Sequence, residues 1–258
     1  MRKALVVLSL LSVVLLAGCF EVDQSIVLSK DMSGTADFHL GVDLEPMIVV
    51  MAQFGREMEG KTGPMTAAEL AKAKADFKKS AKTTTTKDEP SRADVEKSLP
   101  EGVRLLDYGV KEREFGLDSN FKFAFDKLSQ LVGVHLPSKG EGDPTKKNVI
   151  DSPFEGLEVS EKGNTLTIRS KAQNPAESVK EQASDAPKLD AATEKMVRDA
   201  FGKMRVTYRI TAPFEIVSDN ATRREGNTLV WDYNLAAFEK MAASKKADDM
   251  QVRVTYRR

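Results

Sequence analysis

The strongest constraint on how this chain folds is a two-residue alternation that begins close to the N-terminus. Over residues 20–28, Phe20, Val22, Ile26 and Leu28 fall on one side of an extended chain, and Glu21, Asp23 and Ser25 fall on the other. Successive side chains of a strand point to opposite faces, so this pattern predicts a half-buried β-strand. Lys30-Asp31-Met32-Ser33-Gly34 then supplies turn chemistry, and Ala36, Phe38, Leu40 and Val42 resume the alternation. The segment therefore predicts a β-hairpin. The same reasoning predicts strands over 103–110, 121–125, 157–159, 165–169, 205–210, 214–217, 228–233 and 251–257.

Helical spacing is sparser. Pro46 opens a helix over 47–58 in which Met47, Met51, Phe54 and Met58 share a face, and Thr66 with Glu69 has the spacing of a capping box ahead of a lysine-rich helix toward Phe77. A third helix, over 189–202, aligns Leu189, Ala192, Met196, Ala200 and Phe201. The expected class is α+β, a mainly antiparallel sheet with about three helices packed on or inserted between strands. Residues 82–92, 137–147 and 171–188 are polar and rich in turn or breaker residues, and read as flexible insertions within a single domain spanning 19–258. The methionine stripe of the first helix is expected to be core packing, with a greasy pocket as the alternative.

What precedes the first strand reads as an address. Arg2 and Lys3 are followed by an apolar run over 4–16 broken only by Ser9 and Ser12, the layout of a secretory signal peptide over residues 1–18. A membrane-crossing helix needs about 20 apolar residues, and Glu21 and Asp23 end this run early. The run closes on Leu16-Ala17-Gly18-Cys19, which resembles the lipobox of bacterial lipoproteins, and Cys19 is the single cysteine of the chain. A lone thiol in an exported protein cannot form an internal disulfide and calls for another role. Lipidation of Cys19 supplies it, with palmitate-type acyl chains inserted in a membrane, each buried methylene contributing about 0.8 kcal/mol.

Composition excludes several functions. Removing residues 1–18 takes two of the 39 basic residues and none of the 39 acidic ones, so no basic field exists for a nucleic-acid partner. The two histidines, His39 and His135, have no metal-ligand spacing, and no phosphate-loop or dinucleotide fingerprint is present. The expected protein has no catalytic site, no metal and no cofactor, a Ser-His-Asp constellation being unmarked in the sequence. Trp231, alternating with Leu229 and Tyr233, reads as core, the alternative being the rim of a ligand cavity.

One pentapeptide occurs twice. Arg205-Val206-Thr207-Tyr208-Arg209 recurs as Arg253-Val254-Thr255-Tyr256-Arg257. In each copy the Val and Tyr face opposite to the Arg and Thr. Were the two strands neighbours, Arg205, Arg209, Arg253 and Arg257 would gather on one face and could contact anionic headgroups or phosphorylated glycans. The alternative is a solvated face whose arginines pair with nearby acids.

Cys19-Phe20-Glu21-Val22 through Asp31-Met32-Ser33-Gly34-Thr35 resembles the LppM-like group of bacterial lipoproteins, together with Thr211-Ala212-Pro213-Phe214 through Asn220-Ala221 and Gly226-Asn227-Thr228-Leu229-Val230-Trp231. Met32 stands where that group's turn has glycine, and residues 46–203 carry no part of the resemblance. The resemblance implies an envelope-exposed α+β domain without a catalytic site and with lipid or glycolipid contact. With Phe20 rather than Asp after the lipidated cysteine, it implies outer-membrane delivery, on the periplasmic face, in a two-membrane cell, and the outer face of the cytoplasmic membrane otherwise. The expected function is a membrane-anchored lipoprotein with a non-catalytic binding or structural role in the cell envelope. Its partner would be an anionic lipid, a glycolipid or an envelope protein. Alternatives are a lipid- or glycolipid-binding or transfer module with an apolar cavity, and an envelope hydrolase.

Overall fold

The computed structural model describes residues 19–61, 63–81, 91–136, 153–154, 156–170, 191–243 and 251–258. The proposed signal peptide, two of the three expected insertions (137–147 and 171–188) and most of the third (82–92) lie outside these residues. In chain order the strands are β1 (Cys19–Leu28), β2 (Gly34–Asp43), β3 (Val103–Arg113), β4 (Gly116–Phe125), β5 (Leu157–Lys162), β6 (Thr165–Ser170), β7 (Arg205–Thr211), β8 (Glu215–Asp219), β9 (Arg223–Glu225), β10 (Thr228–Asn234) and β11 (Arg253–Arg257). The helices are α1 (Glu45–Met58), α2 (Ala67–Ala81), α3 (Arg92–Ser98), α4 (Ala191–Phe201) and α5 (Leu235–Ala243), with a 3-10 helix at Leu128–Gly133. The expectation of about three helices is thus corrected to five α-helices and one 3-10 helix among the described residues. The mixed α and β content and the mainly antiparallel sheets stand.

The strands form two sheets. One has the order β3-β4-β2-β1-β7-β10-β9, the other β5-β6-β11-β8. Every pairing is antiparallel except that of β1 with β7, which brings Glu21 beside Arg205 and Val27 beside Thr211. The alternation read in the sequence now has a physical target. Ile26, Leu28, Ala36, Phe38, Phe121, Phe123 and Ile210 from the larger sheet join Leu166, Ile168, Val254 and Tyr256 from the smaller one in a single hydrophobic cluster. Phe123 and Phe154 meet edge-on at 6.0 Å within it. Trp231 is fully buried between Leu229 and Tyr233, and its indole N–H donates to Asn220 Oδ1 at 2.8 Å, so the core reading of this trio stands.

Local chemistry explains the additional helices. The Ser91 hydroxyl accepts from the backbone N–H of Asp94 while the Asp94 carboxylate accepts from that of Ser91, a reciprocal cap that opens α3. Arg92, expected in an insertion, is instead the first residue of that helix. The Asn234 side chain accepts from the N–H of Ala237 and starts α5 directly at the end of β10. The capping box expected at Thr66 and Glu69 forms, with Thr66 donating to and accepting from Glu69.

The buried face of α1 differs from the expected stripe. Met47 is buried, but its companions are Ile48, Val50 and Gln53; Met51 and Phe54 are half-buried and Met58 is exposed. The reason lies in the partners: α1 packs chiefly against α2 and α4 rather than on a sheet, so two flanks are covered in place of one stripe.

Candidate functional site

The two copies of the repeated pentapeptide lie in different sheets. β7 sits between β1 and β10 in the larger sheet, and β11 between β6 and β8 in the smaller. The condition for gathering Arg205, Arg209, Arg253 and Arg257 on one face is therefore not met. The physical reason is visible in the apolar half of the motif. Val206 and Val254, Tyr208 and Tyr256 all pack into or against the shared cluster, entering it from its two sides. Strand alternation then sends the arginines of the two copies outward from different sheets.

Each copy has its own electrostatic surroundings. Arg205 donates twice to the Asp232 carboxylate on β10, at 2.9 and 2.7 Å, and Arg223 donates to the same carboxylate at 3.2 Å. The bond from Arg205 is the main reason the Asp232 carboxyl titrates below the ordinary carboxylate range, and the same bond raises the Arg205 guanidinium. Arg209 is bonded to Asp23 on β1. On β11, Arg257 reaches Glu215 at 3.0 Å, while Arg253 has an exposed side chain and its backbone N–H donates to Asn220 Oδ1. Most of the positive charge assigned to the motif is thus neutralised across strands.

The histidines remain apart. His39 Nδ1 lies 2.8 Å from Asn120 Oδ1 on the outer side of the sheet, and His135 is exposed, its carbonyl accepting from Ser98. No group of three or more metal-ligating side chains occurs among the described residues.

A different feature emerges on the inner face of the larger sheet. Toward the centre the face is fully buried; at the end where β1 begins it is not. Phe20, Val22 and Val42 are half-buried there against the edge of the core, as are Tyr108 and Tyr208 in the row of Gln24 and Phe238 of α5. Burial alone pushes the Tyr208 hydroxyl up, and it pushes that of Tyr233, one row away on β10, up to about 12, with Tyr208 adding to the effect. Gln24 completes this polar-edged patch, donating to the Pro153 carbonyl at 3.2 Å. Phe20, Val22 and Val42 were legible as inward-facing, but no local signal says which rows of a sheet lack a full covering layer.

Cys19, the proposed lipidation position, is the first residue of β1 and pairs with Asp43. The sheet therefore starts at the residue expected to carry the anchor.

No family model matches the chain, and no curated relative does. Among solved structures, the chain is similar to the NMR structure of the folded domain of LppM from Mycobacterium tuberculosis. The alignment covers 93% of this chain and 89% of that one at 11% sequence identity, with a TM-score of 0.40. The relationship at that level is distant and structural alone.

Proposed function

We propose that this chain is a membrane-anchored bacterial lipoprotein, acylated on Cys19, whose sheet domain has a non-catalytic binding or structural role in the cell envelope. The observation that carries the reading is the position of the single cysteine. It closes the segment Leu16-Ala17-Gly18-Cys19 after an apolar run with a cationic start, and a thiol there accepts a lipid where no disulfide can form. Phe20 in the following position favours delivery to the outer membrane in a two-membrane envelope. In cells labelled with radioactive palmitate, a Cys19→Ala variant is expected to accumulate as a longer, unlabelled precursor. Maturation of that variant to the wild-type length would overturn the proposal.

A second reading has one observation in its favour. The half-buried aromatic and aliphatic side chains at the β1 end of the inner sheet face offer an apolar surface with a few polar groups at its margin, which is the composition of a lipid or glycolipid site. Native purification followed by solvent extraction and mass spectrometry addresses it. A stoichiometric co-purified lipid supports a transfer or carrier role, and a lipid-free domain removes it.

A further inference from the structure

Four helices gather at one end of the larger sheet, and it is the end at which β1 begins. α1 starts two residues after Asp43, the pairing partner of Cys19. α2 sets Phe77 against Phe115 at 6.4 Å and Lys78 against Glu114, at the tip of the β3–β4 hairpin where Gly116 pairs with Asp43. α4 runs toward β7, whose first residue Arg205 lies beside Glu21, and α5 leaves from Asn234, which pairs with Arg205. The turn between β1 and β2, α3 and the 3-10 helix all belong to the opposite end, since Leu28, Gly34, Val103 and Phe125 are the residues aligned there.

α1 and α2 form an antiparallel hairpin. Glu45 at the start of α1 pairs with Lys74 midway along α2, and Arg56 late in α1 pairs with Glu69 early in α2. The base of the hairpin is thus held at the sheet end, and its tip lies beyond Arg56 and Glu69. That tip carries Met58, which at 62% is the most exposed large apolar side chain among the described residues, and Met65, half-exposed. Within α1, Met47, Ile48 and Val50 are buried but stand outside the main core cluster, so the hairpin has an apolar interior of its own. Among the described residues, the other exposed large apolar side chains, Val27, Leu106, Val132 and Val217, are scattered singly over different elements, which is ordinary for a protein surface.

We infer that the tip of the α1–α2 hairpin contacts the bilayer that holds the anchor, with Met58 and Met65 seated among the lipids. The inference rests on acylation of Cys19. Pairing of β1 starts at that residue, so no tether separates the acyl chains from the folded sheet, and the end of the sheet bearing the four helices is held at the membrane surface. A flexible methionine side chain enters the disordered boundary between headgroup and acyl chain at little cost, and seating depths there are about 5–10 Å. The far end of β1 lies about 30 Å away along a ten-residue strand, out of reach of the same lipids.

Acylation consumes the only native thiol, so single cysteines can be introduced as unique labelling sites in the mature lipidated protein. Met58→Cys, Met65→Cys and, at the far end, Val132→Cys are labelled with a small fluorophore and reconstituted into phosphatidylethanolamine–phosphatidylglycerol vesicles containing a nitroxide-tagged lipid. Probes at 58 and 65 should be quenched at least about twofold more strongly than the probe at 132, as interfacial seating requires. Equal quenching at all three, or stronger quenching at 132, overturns the inference. Mass spectrometry of the N-terminal peptide from the same samples separates the two failures. An acylated Cys19 with uniform quenching defeats the membrane contact alone, whereas an unmodified Cys19 defeats the lipoprotein reading and the contact with it.

Discussion

Met32 occupies the left-handed region of backbone space, with φ at 70°, and it is buried to 7% exposure. A left-handed residue other than glycine costs roughly 1–2 kcal/mol, while burying a methionine side chain contributes about 1.5–3 kcal/mol. Burial wins, which explains why this turn uses Met where glycine would be easier on the backbone. Asp31 supports it by accepting from the Ser33 backbone and hydroxyl, at 3.1 and 2.7 Å. Met32→Ala should destabilise the domain by about 2 kcal/mol, losing burial while keeping the backbone strain. Met32→Gly should cost less than Met32→Ala, since it releases the strain; urea denaturation of the two variants gives the order.

Asp232 accepts hydrogen bonds from two arginines, Arg205 and Arg223. Its carboxyl is depressed below the ordinary range chiefly by the Arg205 hydrogen bond. A depressed carboxylate adds stability above its unfolded pKa, near 3.9, and that stability is lost as pH falls through the lower folded value. Asp232→Asn should therefore destabilise the protein by on the order of 1 kcal/mol at neutral pH. The gap between variant and wild type should close as the solution is acidified below about pH 4. A gap that persists unchanged to the acid limit would mean the loss comes from packing.

At the scale of elements, the strands were legible because each of the longer ones has a buried face to mark it. β9 has none: Arg223, Arg224 and Glu225 are all exposed, so no alternation could announce it. α3 was hidden for a similar reason, since a helix of seven residues with Val95 as its one buried side chain shows no stripe. Its reciprocal cap at Ser91 and Asp94 was nonetheless written in the sequence. Ser91→Ala should cost about 1 kcal/mol, as loss of an N-cap does, and should loosen the packing of Val95; hydrogen exchange of the 94–98 amides would report both. The arginine repeat shows the opposite limit. Its inward and outward sides were read from five residues, but membership of one sheet or the other depends on partners far away in the chain, which no short motif encodes.

At the scale of the molecule, stability is concentrated where the two sheets share one core. Phe123 is fully buried, stacks parallel to Phe121 at 6.3 Å and meets Phe154 from the segment before β5. Phe123→Ala should cost about 3–5 kcal/mol, and because both sheets share one hydrophobic cluster, they should unfold in one calorimetric transition that shifts as a unit.

The parallel pairing of β1 with β7 has a temporal side. The second neighbour of the first strand is made only after the chain has been synthesised as far as residues 205–211. Contacts between such distant segments form late and slowly, because the intervening chain must be closed into a loop first. On the proposed reading, a chain exported N-terminus first exposes β1 with one side vacant for most of its passage. Acylation at Cys19, on the proposed reading, would take place on that unfinished sheet, and the domain would complete its folding already moored.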